Sequence, residues 1–319
     1  MEGAQTAASA SSKASSAPSD GALASSSASA SPPASAVPPP PPLAAPPPPP
    51  DWKLTLVSPG DEPRKALRYA LRAGAKEAAT MDMRTAASVS IDGTKKDLAT
   101  PPVTMTVSLV SEGTTAKNEL DYKFTLDAID LAKDSDPAFA PYRSFLQKVI
   151  GASGEMQLTP QGRADKKSVA LPPGAGEQAG EVTDQLVGAL RDTMVPFPDE
   201  PVGKGAQWKV TMAFTVKPVV AARTTTFTLT SVAGTKGTIE ATEDIVVPPQ
   251  TISTPDGQRA DLQSMKGSGT RKVAFDLGKI VPTSTWDLSV DSVQTQWAQD
   301  GPHPIQGHSQ ILLNLAPKK

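Results

Sequence analysis

The sequence predicts an α+β fold that is mostly antiparallel β: a curved sheet or half-barrel of about a dozen strands, covered by two helices and preceded by a disordered tether. Three observations carry this reading. Apolar and polar residues alternate with period two through most of the chain after Asp51; two segments alone show helical spacing; and the first fifty residues are nearly all Ala, Ser and Pro.

The tether comes first. Its only ionisable side chains are Glu2, Lys13 and Asp20, and it ends in Pro38–Pro42 and Pro46–Pro50, so it has almost nothing to bury against the entropy of ordering. Its Ala/Ser part reads as flexible coil, and the two proline runs favour polyproline II at about 3.1 Å per residue, a stiffer spacer. No apolar run of the ~7–15 residues that a signal peptide needs occurs before residue 51. Nothing approaches the ~18 consecutive apolar residues of a transmembrane helix. The expectation is therefore that an upstream start supplies a signal and a lipidated cysteine, to which the tether anchors the body; with Met1 as the true start, the address becomes cytoplasmic.

From Asp51 to residue 319 the sequence predicts one β-rich domain, whose halves 51–175 and 176–319 share a sheet. Leu67–Ala73 and Met81–Ile91 alternate weakly, with a turn at Asp92-Gly93. Thr104–Leu109 alternates cleanly, as do Leu120, Tyr122, Phe124 and Leu126. At Leu126–Leu131 the apolar set changes from even to odd positions, which predicts a β-bulge that bends the strand. Pro141 suits a first helical position, and Tyr142, Phe145, Leu146, Val149 and Ile150 then share a stripe before Gly151. A short strand pair, Gly154–Leu158 and Ala164–Leu171, precedes a second helix over Glu177–Met194, ended by Pro196. Strands resume with Trp208, Val210, Met212, Phe214 and Val216, then Thr225–Val232 and Thr238–Val247 around a Gly234–Gly237 turn. After a turn at Asp256-Gly257, the runs Val273–Leu277, Trp286–Val290 and Ile311–Leu315 complete the sheet.

Chemistry is sparse. Without a cysteine, the chain has no disulfide, thiolate metal site or cysteine nucleophile. A net charge of −2 with scattered Lys and Arg argues against nucleic acid as a partner. Gly151-Ala152-Ser153-Gly154 is one residue short of a G-x-S-x-G elbow. Gly203-Lys204-Gly205 lacks both the spacing and the Ser/Thr of a phosphate loop, and a strand follows it. Asp130, Asp134 and Asp136 miss the spacing of a calcium loop. His303 and His308, in GPHPIQGHSQ, are the only histidines; on a Pro/Gly loop they could hold a metal only with ligands from elsewhere. The carboxylate pairs Asp199-Glu200 and Glu243-Asp244 cannot be promoted to acid/base dyads from spacing alone. Trp208 and Trp286 are in phase with apolar neighbours, so with Phe214 they are candidates for core packing or ligand contact. No cofactor is expected.

The segment FPDEPVGKGAQW after an apolar helix carries a Pro-x-x-Pro-Val-Gly-x-Gly-x-x-Trp pattern from Pro198 to Trp208. With the upstream hairpin GEMQLTPQGRADKK, Gly154–Lys167, it resembles a family of uncharacterised bacterial envelope proteins, largely lipoproteins, over about Leu67–Val293. The resemblance implies an envelope address and a β-rich fold, with no known catalytic residues; the family's lipidated cysteine is missing here. The expected function is a non-enzymatic envelope module that binds a hydrophobic ligand, a lipid for example, or another envelope protein. The alternatives are a hydrolase or metal enzyme built on His303 and His308, and a purely structural tethered domain.

Overall fold

A computed structural model describes residues 41–43, 45, 48, 50–115, 119–132, 136–216, 219–253, 258–298 and 300–318. Most of the expected tether, the Asp256-Gly257 turn and Asp134 lie outside them. In chain order the elements are β1 (Lys53–Ser58), β2 (Lys76–Ile91), β3 (Thr94–Leu98), β4 (Val103–Thr114), β5 (Leu120–Leu131), a 3₁₀ turn (Pro137–Phe139), α1 (Ala140–Gln147), β6 (Ser153–Leu158) and β7 (Ala164–Ala170). They continue with α2 (Glu177–Thr193), β8 (Gln207–Val216), β9 (Val219–Ala233), β10 (Lys236–Val247), β11 (Gln250–Ser253), β12 (Arg259–Asp276), β13 (Thr283–Ala298) and β14 (Gly301–Pro317).

The fold is mostly antiparallel β, as the alternation predicts. Among the described residues, 14 strands form one open, curved sheet, in the order β1-β8-β9-β10-β12-β13-β14-β2-β4-β5-β6-β7, with β3 paired to β2 and β11 to β12. Strands before α2 occupy one end and strands after it the other, joined where β14 pairs with β2 from Ile305↔Ile91 to Pro317↔Ala79. β1 is the exception: it pairs with β8 at the far edge. The Arg163 guanidinium, from the β6–β7 turn, lies 5.2 Å from the ring centroid of Trp52, the residue before β1. The two ends of the sheet therefore meet through side chains, without strand pairing.

The bulge falls where the sequence places it. Val107 pairs with Leu126 but Thr106 pairs with Ala128, which leaves Asp127 as the extra residue. Leu126 and Ile129 are both buried, so the bulge absorbs the change of parity and keeps the apolar set on one face. The hairpin turns at Asp92-Gly93 and Gly234 also form, with φ of 50°, 82° and 61°.

Three elements differ from expectation. Leu67–Ala73 is no strand, although Leu67, Tyr69 and Leu71 are buried in alternation. Its backbone crosses strand ends and bonds to loops, with Tyr69 N–H donating to Pro160 O and Ala70 N–H to Leu277 O, so period two survives without a ladder. α1 buries Leu146, and Val149 just beyond it is also buried, but Tyr142 and Ile150 stay exposed, so the stripe is narrower than its apolar residues suggest. The strands β1, β3 and β11 are short edge or satellite pieces whose composition did not announce them. The proline-rich stretch also touches the body: Leu43 N–H donates to Thr251 Oγ1 at 2.9 Å, and Arg259 Nη2 donates to Pro41 O at 3.1 Å.

α2 lies on the inward face, where Leu186, Val187 and Leu190, followed by Met194, are buried. Beyond Pro196 the chain passes through the segment that carries the Pro-x-x-Pro-Val-Gly pattern. Gly203 there leaves no room for a side chain, since a Cβ would stand 1.8 Å from Asp61 O. Asp61 N–H in turn donates to Lys204 O at 2.7 Å, and Gly203 N–H to Pro59 O at 2.9 Å. The segment is a loop-to-loop clasp. Trp208 closes it, fully buried, stacked on Phe227 at 5.6 Å and donating through Nε1 to Pro196 O at 2.7 Å. The GEMQLTPQGRADKK hairpin docks against the same place, with Phe197 N–H donating to Gln161 O at 2.7 Å.

Candidate functional site

Period two dictates which side chains face the core, and on three strands a charge occupies a core-facing position. On β9 the inward residues are Ala221, Arg223, Thr225, Phe227 and Leu229; on β10 they are Ile239, Ala241, Glu243, Ile245 and Val247; on β12 they include Arg271, Val273 and Phe275. The register sets these charges side by side: Glu243 pairs with Thr225, and Arg271 lies between Ala241 on β10 and Trp286 on β13. With Ser284 they form a polar belt across four strands. It separates the large apolar core from a smaller cluster of Ala221, Ile245, Val247, Leu262 and Leu288.

Charges buried this deeply need partners, and the end of α2 supplies them. Arg223 holds the Asp192 carboxylate with both terminal nitrogens, at 2.7 and 2.9 Å. Arg271 donates to the carbonyls of Asp192 at 2.5 Å and Thr193 at 2.7 Å, and through Nε to Ser284 Oγ at 3.1 Å. The last carbonyls of a helix lack intrahelical donors and carry partial negative charge, so a guanidinium is the group best suited to meet them. The belt thus pins the C-terminus of α2 to the sheet.

Titration follows from this geometry. Burial pushes the Asp192 carboxyl up, but the Arg223 guanidinium more than reverses it and leaves the group below its ordinary range. Burial likewise opposes the charge on Arg223, and Asp192 outweighs it. Arg271 meets carbonyls and a hydroxyl rather than a carboxylate, and burial holds it below its ordinary value. Glu243 differs from all three: burial raises its pKa, and Arg223 and Arg271 oppose that only in part. Its Oε2 is buried without a hydrogen-bond partner among the described residues, as is Trp286 Nε1. The indole stands close enough to favour the charged carboxylate slightly.

Glu243, Arg223 and Arg271 border a cavity of about 350 Å³. Val210, Phe227 and Met194 form apolar wall, and Trp52, Arg163 and Asp165 stand toward the gap between the two ends of the sheet. The space directly beneath α2 is filled: the cavity there, beside Leu190 and Tyr122, holds only about 10 Å³.

No protein-family model matches the chain, and no curated protein sequence matches it either.

The residues singled out from sequence fall elsewhere. Trp208 is core and contributes nothing to the cavity lining. Trp286 is half-buried between the two apolar clusters and borders the belt. Phe214 lies on β8, and its side chain falls outside the described residues. His303 and His308 lie on β14 rather than on a loop. The prolines around His303 are tolerated because Pro304 faces the side on which β2 has already ended, where its carbonyl accepts from Asp92 N–H. Five residues apart on one strand, the two histidines point to opposite faces about 17 Å apart. Each pairs with aspartate instead: His303 with Asp92 at 2.7 Å and Asp300 at 3.0 Å, His308 with Asp291 at 2.7 Å. Among the described residues no group of three His, Asp or Glu is placed to share a metal ion, and no helix is long and apolar enough to cross a membrane.

Asp199 is exposed and accepts from Gln161 Nε2 at 2.8 Å. Glu243 and Asp244 face opposite sides of β10, so that pair is no dyad. Sequence reasoning passed over Arg223, Arg271 and Asp192. The signal was present: in Arg223, Glu243 and Arg271 a charge replaces an apolar residue at core parity.

Proposed function

We propose that the protein is a non-enzymatic ligand-binding module of the bacterial cell envelope, which takes a small amphiphile into the cavity at the end of α2. One observation carries the binding reading: a cavity of about 350 Å³ joins apolar walls to a buried carboxylate whose Oε2 has no hydrogen-bond partner among the described residues. Pockets for small molecules are mostly apolar, with a few polar groups that fix orientation, and start near 300 Å³. The envelope address rests on the resemblance of Pro198–Trp208 and Gly154–Lys167 to envelope proteins, and on the spacer composition of residues 1–50. The filled space under α2 disfavours a large lipid lying along the sheet.

Native mass spectrometry of the protein purified from an envelope fraction tests this. The expected result is a one-to-one small-molecule adduct that disappears in Met212→Trp, where the new ring occupies the cavity beside Arg223. A wild-type spectrum without adduct in repeated preparations would overturn the reading and favour a protein-binding or structural module.

A further inference from the structure

The cavity floor specifies what the amphiphile carries at its polar end. We infer that the site takes a medium-chain monocarboxylate, its head beside Arg271 and hydrogen-bonded to Glu243, its chain along Val210, Met194 and Phe227. This inference rests on the binding function proposed above.

Three features of the floor lead there. First, the two buried guanidiniums are unequally matched. Arg223 is held by the Asp192 carboxylate, whereas the partners of Arg271 are two carbonyls and a hydroxyl. Arg271 uses one N–H of each terminal nitrogen in these bonds, and a guanidinium has five N–H groups, so it retains donors. Second, Glu243 is 3% exposed and its Oε2 has no partner among the described residues, which makes it a group waiting for a hydrogen bond. Third, charge must balance in a buried site. Arg191, which touches Asp192 at 3.3 Å, is part-exposed and solvent-screened; of the buried groups, two arginines face Asp192 and Glu243, so an arriving ammonium would leave three cations against two anions. An arriving carboxylate with a protonated Glu243 leaves two against two, and the Glu243 O–H then donates to the ligand.

The groups facing Glu243 are consistent with that exchange. Arg223 and Thr225 approach from β9, Arg271 from β12, Trp286 from β13, and Asp192 with Arg191 from α2. Burial already favours the neutral form of Glu243, and a second carboxylate beside it favours that form further. Binding therefore takes up one proton from solvent at any pH where free Glu243 is ionised. The cavity is at the small end of ligand sites, which suits a single chain rather than a two-chain lipid.

The test is calorimetric titration of the full chain with octanoate, octan-1-ol and octylamine at several pH values, for wild type, Glu243→Gln and Met212→Trp. Octanoate should bind one-to-one and at least tenfold more tightly than either analogue. Its affinity should fall about tenfold per pH unit once free Glu243 is ionised, as one coupled proton requires. Glu243→Gln keeps a donor at the same place, so octanoate should still bind, now without that pH dependence; Met212→Trp should bind none. Tighter binding of octylamine, equal binding of octan-1-ol, or the same pH dependence in Glu243→Gln would each overturn the inference. If none of the three probes binds while the native adduct persists, the carboxylate assignment fails and the binding function survives. If the adduct is also missing, both fail.

Discussion

Phe227 and Arg223 stand four residues apart on the inward face of β9, and the regions around them are built in opposite ways. Around Phe227 the packing is aromatic: Trp208 stacks on it, Phe197 tilts against Trp208 at 5.9 Å, and the indole N–H is satisfied by Pro196 O. Around Arg223 lie Asp192, Arg191, Arg271 and Glu243, a cavity, and in Glu243 a carboxylate oxygen without a partner among the described residues. Both regions hold the exit of α2, one through Pro196 and Phe197, the other through Asp192 and Thr193. The contrast separates two tasks. A region that only has to hold the chain can satisfy every contact, while a region that retains an unmet polar group in open space is suited to receive something else.

Truncating the aromatic region should have the largest effect. Trp208→Ala removes a fully buried ring and its hydrogen bond, and should cost about 3–5 kcal/mol, read as a lower urea midpoint. A loss below about 1 kcal/mol would mean that the clasp around Pro198–Trp208 does not hold the fold, and the contrast would collapse.

The belt should respond to pairing rather than to size. Arg223→Met removes the bidentate partner of Asp192 and leaves it only the part-exposed Arg191 at 3.3 Å, which should cost about 3–5 kcal/mol. Replacing both partners, in Arg223→Met with Asp192→Leu, should recover most of that loss, because apolar residues of similar volume need no desolvation. Equal losses in the single and double variants would show that the belt is held by packing, like its aromatic neighbour.

This difference also explains how much could be read from the sequence. The sheet was legible because alternation records a face, and even the Asp127 bulge showed as a change of parity at Leu126–Leu131. The Trp208 core was legible for the same reason. The belt was not, because a charge at core parity has meaning only once its partner is known. Asp192 comes from a helix 31 residues before Arg223 and 79 before Arg271. Leu67–Ala73 shows the converse: alternation marks burial, but only hydrogen bonds to a neighbouring strand make a strand, and those bonds go to loops here. The histidines were misplaced because prolines suggested a loop, and the vacancy beside Pro304 depends on where β2 stops.

The smallest effect belongs to a third ionic group, at the surface, which shows what burial adds. His303 bridges the β13–β14 turn to the β2–β3 turn, bonded to Asp300 and to Asp92, and these two bonds raise its pKa from 6.5 to about 9. A histidine whose folded pKa lies above its unfolded value stabilises the fold fully below about pH 6.5, and that contribution is lost as pH rises through about 9. Wild type should therefore lose a small increment of stability across that window that His303→Gln does not lose, and the ring proton of His303 should titrate near 9 in an NMR series. Because Asp92 and Asp300 are exposed, added salt should shrink this increment, whereas the Arg223–Asp192 pair, shielded from solvent, should be almost indifferent to salt. A titration near 6.5 would remove the ionic bridge between the two turns. A salt response of equal size at both sites would remove the distinction between the surface bridge and the belt.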